Sequence, residues 1–218
     1  MDVIDGLEIK RTTAAEQVAD ALRDKILKGQ LRPGADLPEL QIAASTGVSR
    51  NSIRDAIRLL AREGLVRVTP HRGATVTALS KEDVTDIFRI RRLLELSSIE
   101  SMKESSRCDS APLLAIVQEM EAAAAAKDWP RCAAIDHSFH RHLVAFLGSE
   151  RLNNFFSAVL SELCLALVLI DSSKNDSARL VDQHRKLAQL LQDRQFDQCT
   201  SELAQHLSDS ESDVLSVI

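Results

Sequence analysis

Three of the six histidines in this chain, together with one aspartate, have the spacing to share a metal ion. Asp136 and His140 lie four residues apart, so on a helix both side chains leave the same face. His184 and His206 fall on two helical stretches joined by a turn near Arg194 and Gln195, at 10 and 12 residues from Arg194. Packed as an antiparallel pair, those stretches bring the two imidazoles to one level, within roughly 3 Å along the axis at about 1.5 Å rise per residue. One carboxylate and three imidazoles suit zinc, with nickel or manganese as alternatives, and leave positions for water or a ligand. The competing reading is four ordinary helical side chains with hydrogen bonds of their own. A lone Asp-x-x-x-His pair does not separate the two. His137 and His142 point to other faces of their helix and His71 lies far away in sequence, so these three are expected to take no part.

The second constellation is cationic. Arg50, Arg54, Arg58 and Arg62 recur at strict four-residue spacing on a helix that Ser49 can cap. That cap places Ser49, Arg50, Asn51, Ser52 and Arg54 at the exposed leading end. Arginine can grip guanine O6 and N7 through two hydrogen bonds, and Asn51 can address adenine or a phosphate. Ile53, Ala56, Ile57 and Leu60 occupy the rear of the same helix and are offered to a core.

The surrounding elements fit that use. A short helix starting at Pro38 comes first, then a tight turn at Thr46 and Gly47. After the arginine helix come two short β-runs joined by a basic tip at His71, Arg72 and Gly73. The order is that of a winged helix-turn-helix, whose second helix enters the major groove. A lone arginine helix would be an ordinary solvated face; the glycine turn, the hairpin and Arg72-Gly73 at its tip favour double-stranded DNA. With no tyrosine and few aromatics, single-strand binding by base stacking is disfavoured.

Charge is distributed accordingly. The whole chain of 218 residues carries −5, but residues 10–77 hold 12 Lys and Arg against 7 Asp and Glu, while residues 78–218 hold 15 against 22. A basic part joined to an acidic one fits DNA binding at one end only. Six of the seven glycines precede residue 78, so the second part should be nearly all helix. Cys108, Cys132, Cys164 and Cys199 are far apart with no CxxC pattern, which suits buried reduced thiols better than a disulfide framework. There is no N-terminal apolar run of the signal-peptide kind, and the longest apolar stretch, 159–170, contains Glu162 and is too short to span a bilayer. No membrane partner and a cytoplasmic location are expected.

The elements themselves are legible from caps and periodicity. Residues 1–11 are polar and read as frayed. Thr13 and Glu16 form a capping box for a helix that buries Val18, Leu22 and Ile26 and stops at Gly29. Ser80 can cap a helix running towards Ser105, with Ile87, Ile90, Leu93 and Leu94 on its apolar side. Pro112 and Pro130 sit just inside helix starts, after Ser110 and Asp128. Further helices are predicted at about 111–127, 130–147, 151–172, 178–193 and 196–215. The expected fold is mainly α: a winged helix-turn-helix over 10–77, then an all-α bundle of about six helices over 78–218.

The basic part resembles the N-terminal domain of the GntR family of bacterial transcriptional regulators. The residues that carry the likeness are Ile26 to Gly29, Arg32-Pro33-Gly34, Leu37-Pro38-Glu39, Gly47 to Arg50, Ile53-Arg54, Leu59-Leu60, Glu63 to Val66 and Arg72-Gly73. The resemblance implies that Ser49, Arg50, Asn51, Ser52 and Arg54 face DNA and that Gly73 lies near the minor groove. Asn51-Ser52 departs from the Thr-Pro that most members resemble, which bears on the operator sequence.

The acidic part is similar to the ligand-binding domain of the FadR-type branch, through Asp136 to His140, His184 to Leu187 and Ala204 to Leu207. Many members of that branch use one Asp and three His to hold a divalent metal, which then binds a small carboxylate effector. Members without those histidines bind acyl-CoA. With Asp136, His140, His184 and His206 all in place, the resemblance implies the metal type. Gln183 stands where glutamate is commoner. Arg91 matches a position that can face the effector, with a surface or interface arginine as a reading of nearly the same weight.

The function that follows is a ligand-responsive transcriptional regulator, a homodimer with DNA and a carboxylate effector as partners. Leu163, Leu167 and Ile170 could serve either the core or the dimer interface. A metal-dependent hydrolase is the alternative from another class, since three His and one Asp with an open position also describe a catalytic centre. No additional acid or base is identifiable beside the site, so no enzyme is expected. A regulator whose helical part only dimerises is the third reading, and it predicts no metal.

Overall fold

The computed structural model describes residues 12–105, 109–167 and 177–218. Residues 1–11, expected to be frayed, and Cys108 lie outside them. The chain opens with α1 (Ala14–Leu27), α2 (Glu39–Thr46) and α3 (Arg50–Arg62), followed by β1 (Val66–Thr69) and β2 (Gly73–Val76). The strands pair antiparallel with Val66 opposite Val76 and Thr69 opposite Gly73. The remaining helices are α4 (Lys81–Glu104), α5 (Ala111–Ala125), α6 (Trp129–Ala145), α7 (Glu150–Leu167), α8 (Ser177–Gln192) and α9 (Phe196–Leu215). The protein is mainly helical, a winged helix-turn-helix followed by a helical domain.

Local chemistry sets the element ends. Thr13 Oγ1 accepts from the Glu16 N–H at 3.2 Å while the Glu16 carboxylate accepts from the Thr13 N–H at 2.7 Å, which together start α1. Gly47 closes α2 in the left-handed region at φ 69°, where a side chain would be strained, and so sets the turn into α3. Ser49 caps α3 by accepting from the Ser52 N–H at 3.2 Å. Ser80 and Asp83 form a second capping box at α4.

Two principal apolar clusters result. Val18, Leu22, Ile26, Ile53, Ile57, Leu60, Leu65 and Val76 close the winged part. The helical part packs around Phe88, Leu113, Met120, Phe139, Leu163, Leu187 and Leu203, contributed by α4 to α9. Leu163 therefore belongs to this core; Ile170 and the side chain of Leu167 lie outside the described residues. The clusters are not fully separate, because Leu165 on α7 is 1% exposed and sits within the winged cluster. Glu162, one turn earlier, lies so close to Gly64 that a Cβ there would be 2.3 Å from its Cγ. Only glycine permits that approach.

Helix α4 differs from expectation. Its buried stripe runs Val84, Ile87, Phe88, Arg91, Glu95, Ser98, Ile99 and Met102, whereas Leu93 is 68% exposed. The stripe is apolar at both ends and charged in the middle. Of those central charges, Glu95 lies against His140 of α6.

Candidate metal centre and nucleic-acid face

Helix α6 presents Asp136 and His140, α8 presents His184 and α9 presents His206, and their ligand atoms lie within 4.8 Å of one another. His140 Nε2 is 3.4 Å from the Nε2 atoms of both His184 and His206, and Asp136 Oδ1 is 3.0 Å from His184 Nε2 and 3.7 Å from His140 Nε2. An ion held by bonds of about 2.1 Å to nitrogen at a tetrahedral centre has ligands about 3.4 Å apart. The set fits such an ion.

The outer nitrogens fix the tautomers. His140 Nδ1 lies 2.6 Å from Glu95 Oε2, His184 Nδ1 2.8 Å from the Leu180 carbonyl, and His206 Nδ1 3.2 Å from Gln183 Oε1. All three partners are acceptors, so each Nδ1 donates its hydrogen outward and each Nε2 turns a lone pair inward. In the neutral rings three lone pairs and a carboxylate then converge, an arrangement that a cation satisfies. Gln183 still reaches His206, as a neutral and longer contact than the Glu95 carboxylate makes with His140.

Electrostatics agree with this geometry. Burial opposes the Asp136 carboxylate, but His140 and His184 overcome it and hold its pKa well below the ordinary 3.8. Burial drives the His206 pKa well below 6.5, so that ring stays neutral and available as a ligand. For His140 burial acts in the same direction, yet the Glu95 carboxylate prevails and raises its pKa above 6.5. Glu95 itself is fully buried, and Arg91 and His140 keep it ionised against burial, with its pKa below 4.5.

Glu95 is the site residue that sequence reasoning missed. Its signal was present: a carboxylate four residues after Arg91 on a stripe that is otherwise apolar. Arg91 is 2% exposed, donates from Nε to Glu95 Oε1 at 2.8 Å, and leaves Nη2 buried without a partner. A surface or interface position for Arg91 is thereby corrected, because the helical core covers it. His137, expected to be bland, is also buried; its Nδ1 meets Cys164 Sγ at 3.0 Å and its Nε2 has no partner. His142 is exposed, as is His71 at the wing tip.

On the winged part, Ser49, Arg50, Asn51, Arg54, Arg58, Arg62, Arg72 and Gly73 are all exposed and Ser52 is half-buried. Arg54 Nε donates to Glu39 Oε2 at 2.7 Å across the helix-turn-helix, and Arg58 pairs with Asp55 at 2.9 Å. The Glu39 contact steadies an arginine at the leading end of α3, which sequence alone did not suggest. Strand β1 ends at Thr69, and the tip turns through His71 at φ 63° before Gly73 opens β2.

Known proteins share this plan. Residues 14–76 match the model described as bacterial regulatory proteins, gntR family, and residues 86–209 match the FCD domain. A transcriptional regulator from the ttuE-ttuC' intergenic region of Agrobacterium vitis is 32% identical over 57% of this chain and 75% of its own length. The probable D-xylose utilization operon transcriptional repressor of Paenarthrobacter nicotinovorans is 29% identical over 84% of this chain and 81% of its own. A crystal structure from Rhodococcus sp. RHA1, described as a putative transcriptional regulator GntR, superposes with a TM-score of 0.84 at 26% identity, covering 95% of this chain and 100% of that one.

Proposed function

We propose, for a chain that belongs to the gntR family of bacterial regulatory proteins and carries an FCD domain, that Asp136, His140, His184 and His206 hold one divalent metal and that this metal binds a small carboxylate effector. The family makes the protein a transcriptional regulator; the metal and the effector are the finer reading. One observation carries it: three imidazole lone pairs and a carboxylate converge, with every outer nitrogen already bonded to an acceptor. Zinc suits four such ligands, with nickel or manganese as alternatives. When bound, the ion would supply a Lewis-acidic position for an effector carboxylate. The chain's own part is to orient the rings through Glu95, Leu180 and Gln183, and to bury the site. Elemental analysis of protein purified without a metal-affinity tag tests the reading, and a thermal-shift screen of carboxylates then tests the effector. Protein that carries no divalent metal, as purified and after incubation with zinc, nickel or manganese, would overturn it.

The DNA reading assigns Ser49, Arg50, Asn51, Ser52 and Arg54 to the major groove, and Arg72 and Gly73 to the wing contact. Residues 10–77 would form the DNA-binding domain and residues 78–218 the effector-binding and dimerisation domain. Arg50→Ala and Arg54→Ala are each expected to weaken binding to an operator duplex by about 1–3 kcal/mol without unfolding the protein. A base-reading arginine relaxes preference at one base pair, while a phosphate contact lowers affinity for every sequence. Unchanged duplex affinity in both variants would remove α3 from the interface.

A two-fold homodimer goes with that reading, since paired domains read half-sites about one helical turn apart. With Leu163 in the core, the exposed Leu93 on α4 and Phe155 on α7, 68% and 51% accessible, are the better candidates for a mutual contact. Light scattering at micromolar concentration is expected to report twice the chain mass, and Leu93→Glu to shift the protein towards monomer. A wild-type monomer with or without DNA would count against it. Among the described residues no helix is long and apolar enough to cross a membrane, which accords with action at cytoplasmic DNA.

A further inference from the structure

The four arginines of α3 are not equivalent. Arg50 and Arg62 have no hydrogen-bond or ion-pair partner among the described residues. Arg58 pairs with Asp55 of its own helix, three residues earlier, and both side chains are mostly exposed. Arg54 alone is held from another element: its Nε donates at 2.7 Å to Glu39 Oε2 at the start of α2, 15 residues earlier, with both side chains partly covered.

That carboxylate stands on a fixed mount. Ile42 and Ala43 of α2 pack against the winged cluster, to which α3 contributes Ile53, Ala56, Ile57 and Leu60. Gly47 sets the turn between the two helices. One core therefore positions both the Glu39 backbone and the Arg54 backbone. A guanidinium is planar, so an acceptor on Nε also fixes the direction of its far edge. The remaining edge, Nη1 and Nη2, has no partner among the described residues. Its two N–H groups run side by side, which is the arrangement that meets O6 and N7 of guanine together.

Glu39 has a second effect. Binding to DNA of any sequence comes from cations that neutralise phosphates. A carboxylate at this face repels phosphates, and an arginine already paired with it adds little to that attraction. The pair lowers attachment to all sequences and leaves a directed contact with one base.

Building on the assignment of α3 to the major groove, we propose that Glu39 is a positioning residue for sequence choice. It holds Arg54 by Nε so that the Nη pair reads one guanine in each half-site, and it weakens binding to every other sequence. Arg50, unpartnered among the described residues, has no such guide.

The test uses the full chain to select duplexes from a random library. Affinity is then measured by fluorescence anisotropy for the selected duplex, its single base-pair variants and a scrambled duplex. The wild type should prefer one guanine per half-site by about tenfold, and Arg54→Ala should lose that preference. Glu39→Ala should lose it at the same base pair while its affinity for the scrambled duplex does not fall. Glu39→Gln, which keeps a neutral acceptor, should recover part of it. Adding Glu39→Ala to Arg54→Ala should remove no further preference, as two residues acting through one contact require. A guanine preference intact in Glu39→Ala overturns the proposal. So does a loss at base pairs that Arg54→Ala leaves alone, or an equal fall in affinity for selected and scrambled duplexes, which damage to α2 would give. Arg54→Ala that keeps every preference of the wild type sinks this inference alone, whereas wild type that binds no duplex sinks the groove assignment and this inference with it.

Discussion

Replacing His206 or His140 with alanine is expected to lower zinc affinity more than 100-fold, since loss of a group that merely supports a ligand already costs about 10–100-fold. Chelation of the wild-type metal should lower the melting temperature, because the folded chain binds the ion and the unfolded chain does not hold the site together. At free zinc near 1,000 times the Kd the linkage is worth about 4 kcal/mol, on the order of 10 °C for a chain of this size. The effect depends on pH. Glu95 raises the His140 pKa above 6.5, so zinc competes with a proton there and its affinity starts to fall above pH 6.5 and continues falling in acid. In the metal-free protein the signs of two histidines oppose. Stability from His140 is fully present below pH 6.5 and is lost as pH rises through its folded value. Stability from His206, whose pKa is depressed, is present above pH 6.5 and is lost as pH falls. His142→Ala is the control, because that ring is exposed. Both variants should keep duplex binding, since neither histidine belongs to the apolar cluster that closes the winged fold. A His206→Ala protein carrying a full equivalent of zinc would return all four residues to the status of ordinary helical side chains.

Glu95→Ala should be the most destabilising single change in the pocket. Glu95 is fully buried between Arg91 at 2.8 Å and His140 at 2.6 Å. Its removal leaves the Arg91 guanidinium as an uncompensated buried charge and costs about 3–5 kcal/mol. His140 loses the acceptor that orients it, so zinc affinity should also drop by about 10–100-fold. The double variant Arg91→Leu with Glu95→Leu removes both charges at once and should recover most of the stability but none of the zinc affinity. That split separates a structural role from a role in the metal centre. Urea unfolding at pH 7 reads the first and competition with a chromophoric chelator reads the second. If Glu95→Ala unfolds within about 1 kcal/mol of the wild type, the pair is more solvated than its burial indicates.

Much of the fold was legible because local signals did not conflict. The Thr13 and Ser49 caps, the glycine at 47 and the prolines just inside α5 and α6 each determine their own backbone, and all stand where their spacing placed them. The antiparallel α8–α9 pair could be aligned by counting outward from its turn, which is why His184 and His206 could be matched before any coordinates. The α4 stripe was harder to read. Leu93 looked like core and is exposed, while Arg91, read as an effector-facing or surface arginine, and Glu95, to which no role was assigned, are buried. Side-chain type sets an average preference, and a charged pair that neutralises itself overrides it. His137 went unread for a related reason: its partner, Cys164, is 27 residues away on another helix. A contact of that kind has no spacing rule.

Leu165 has a consequence for evolution and for engineering. The side chain that completes the winged cluster comes from the middle of α7, and the same stretch presses Glu162 against Gly64. A chimera joining this winged segment to the helical segment of a relative would inherit someone else's α7 at that seam. A smaller residue at position 165 would leave a void, and a larger one would force the segments apart. Recombination between such proteins is therefore constrained at a point 88 residues downstream of the apparent junction at Thr77. Successful grafts should be those that carry Glu162 and Leu165 along with the wing.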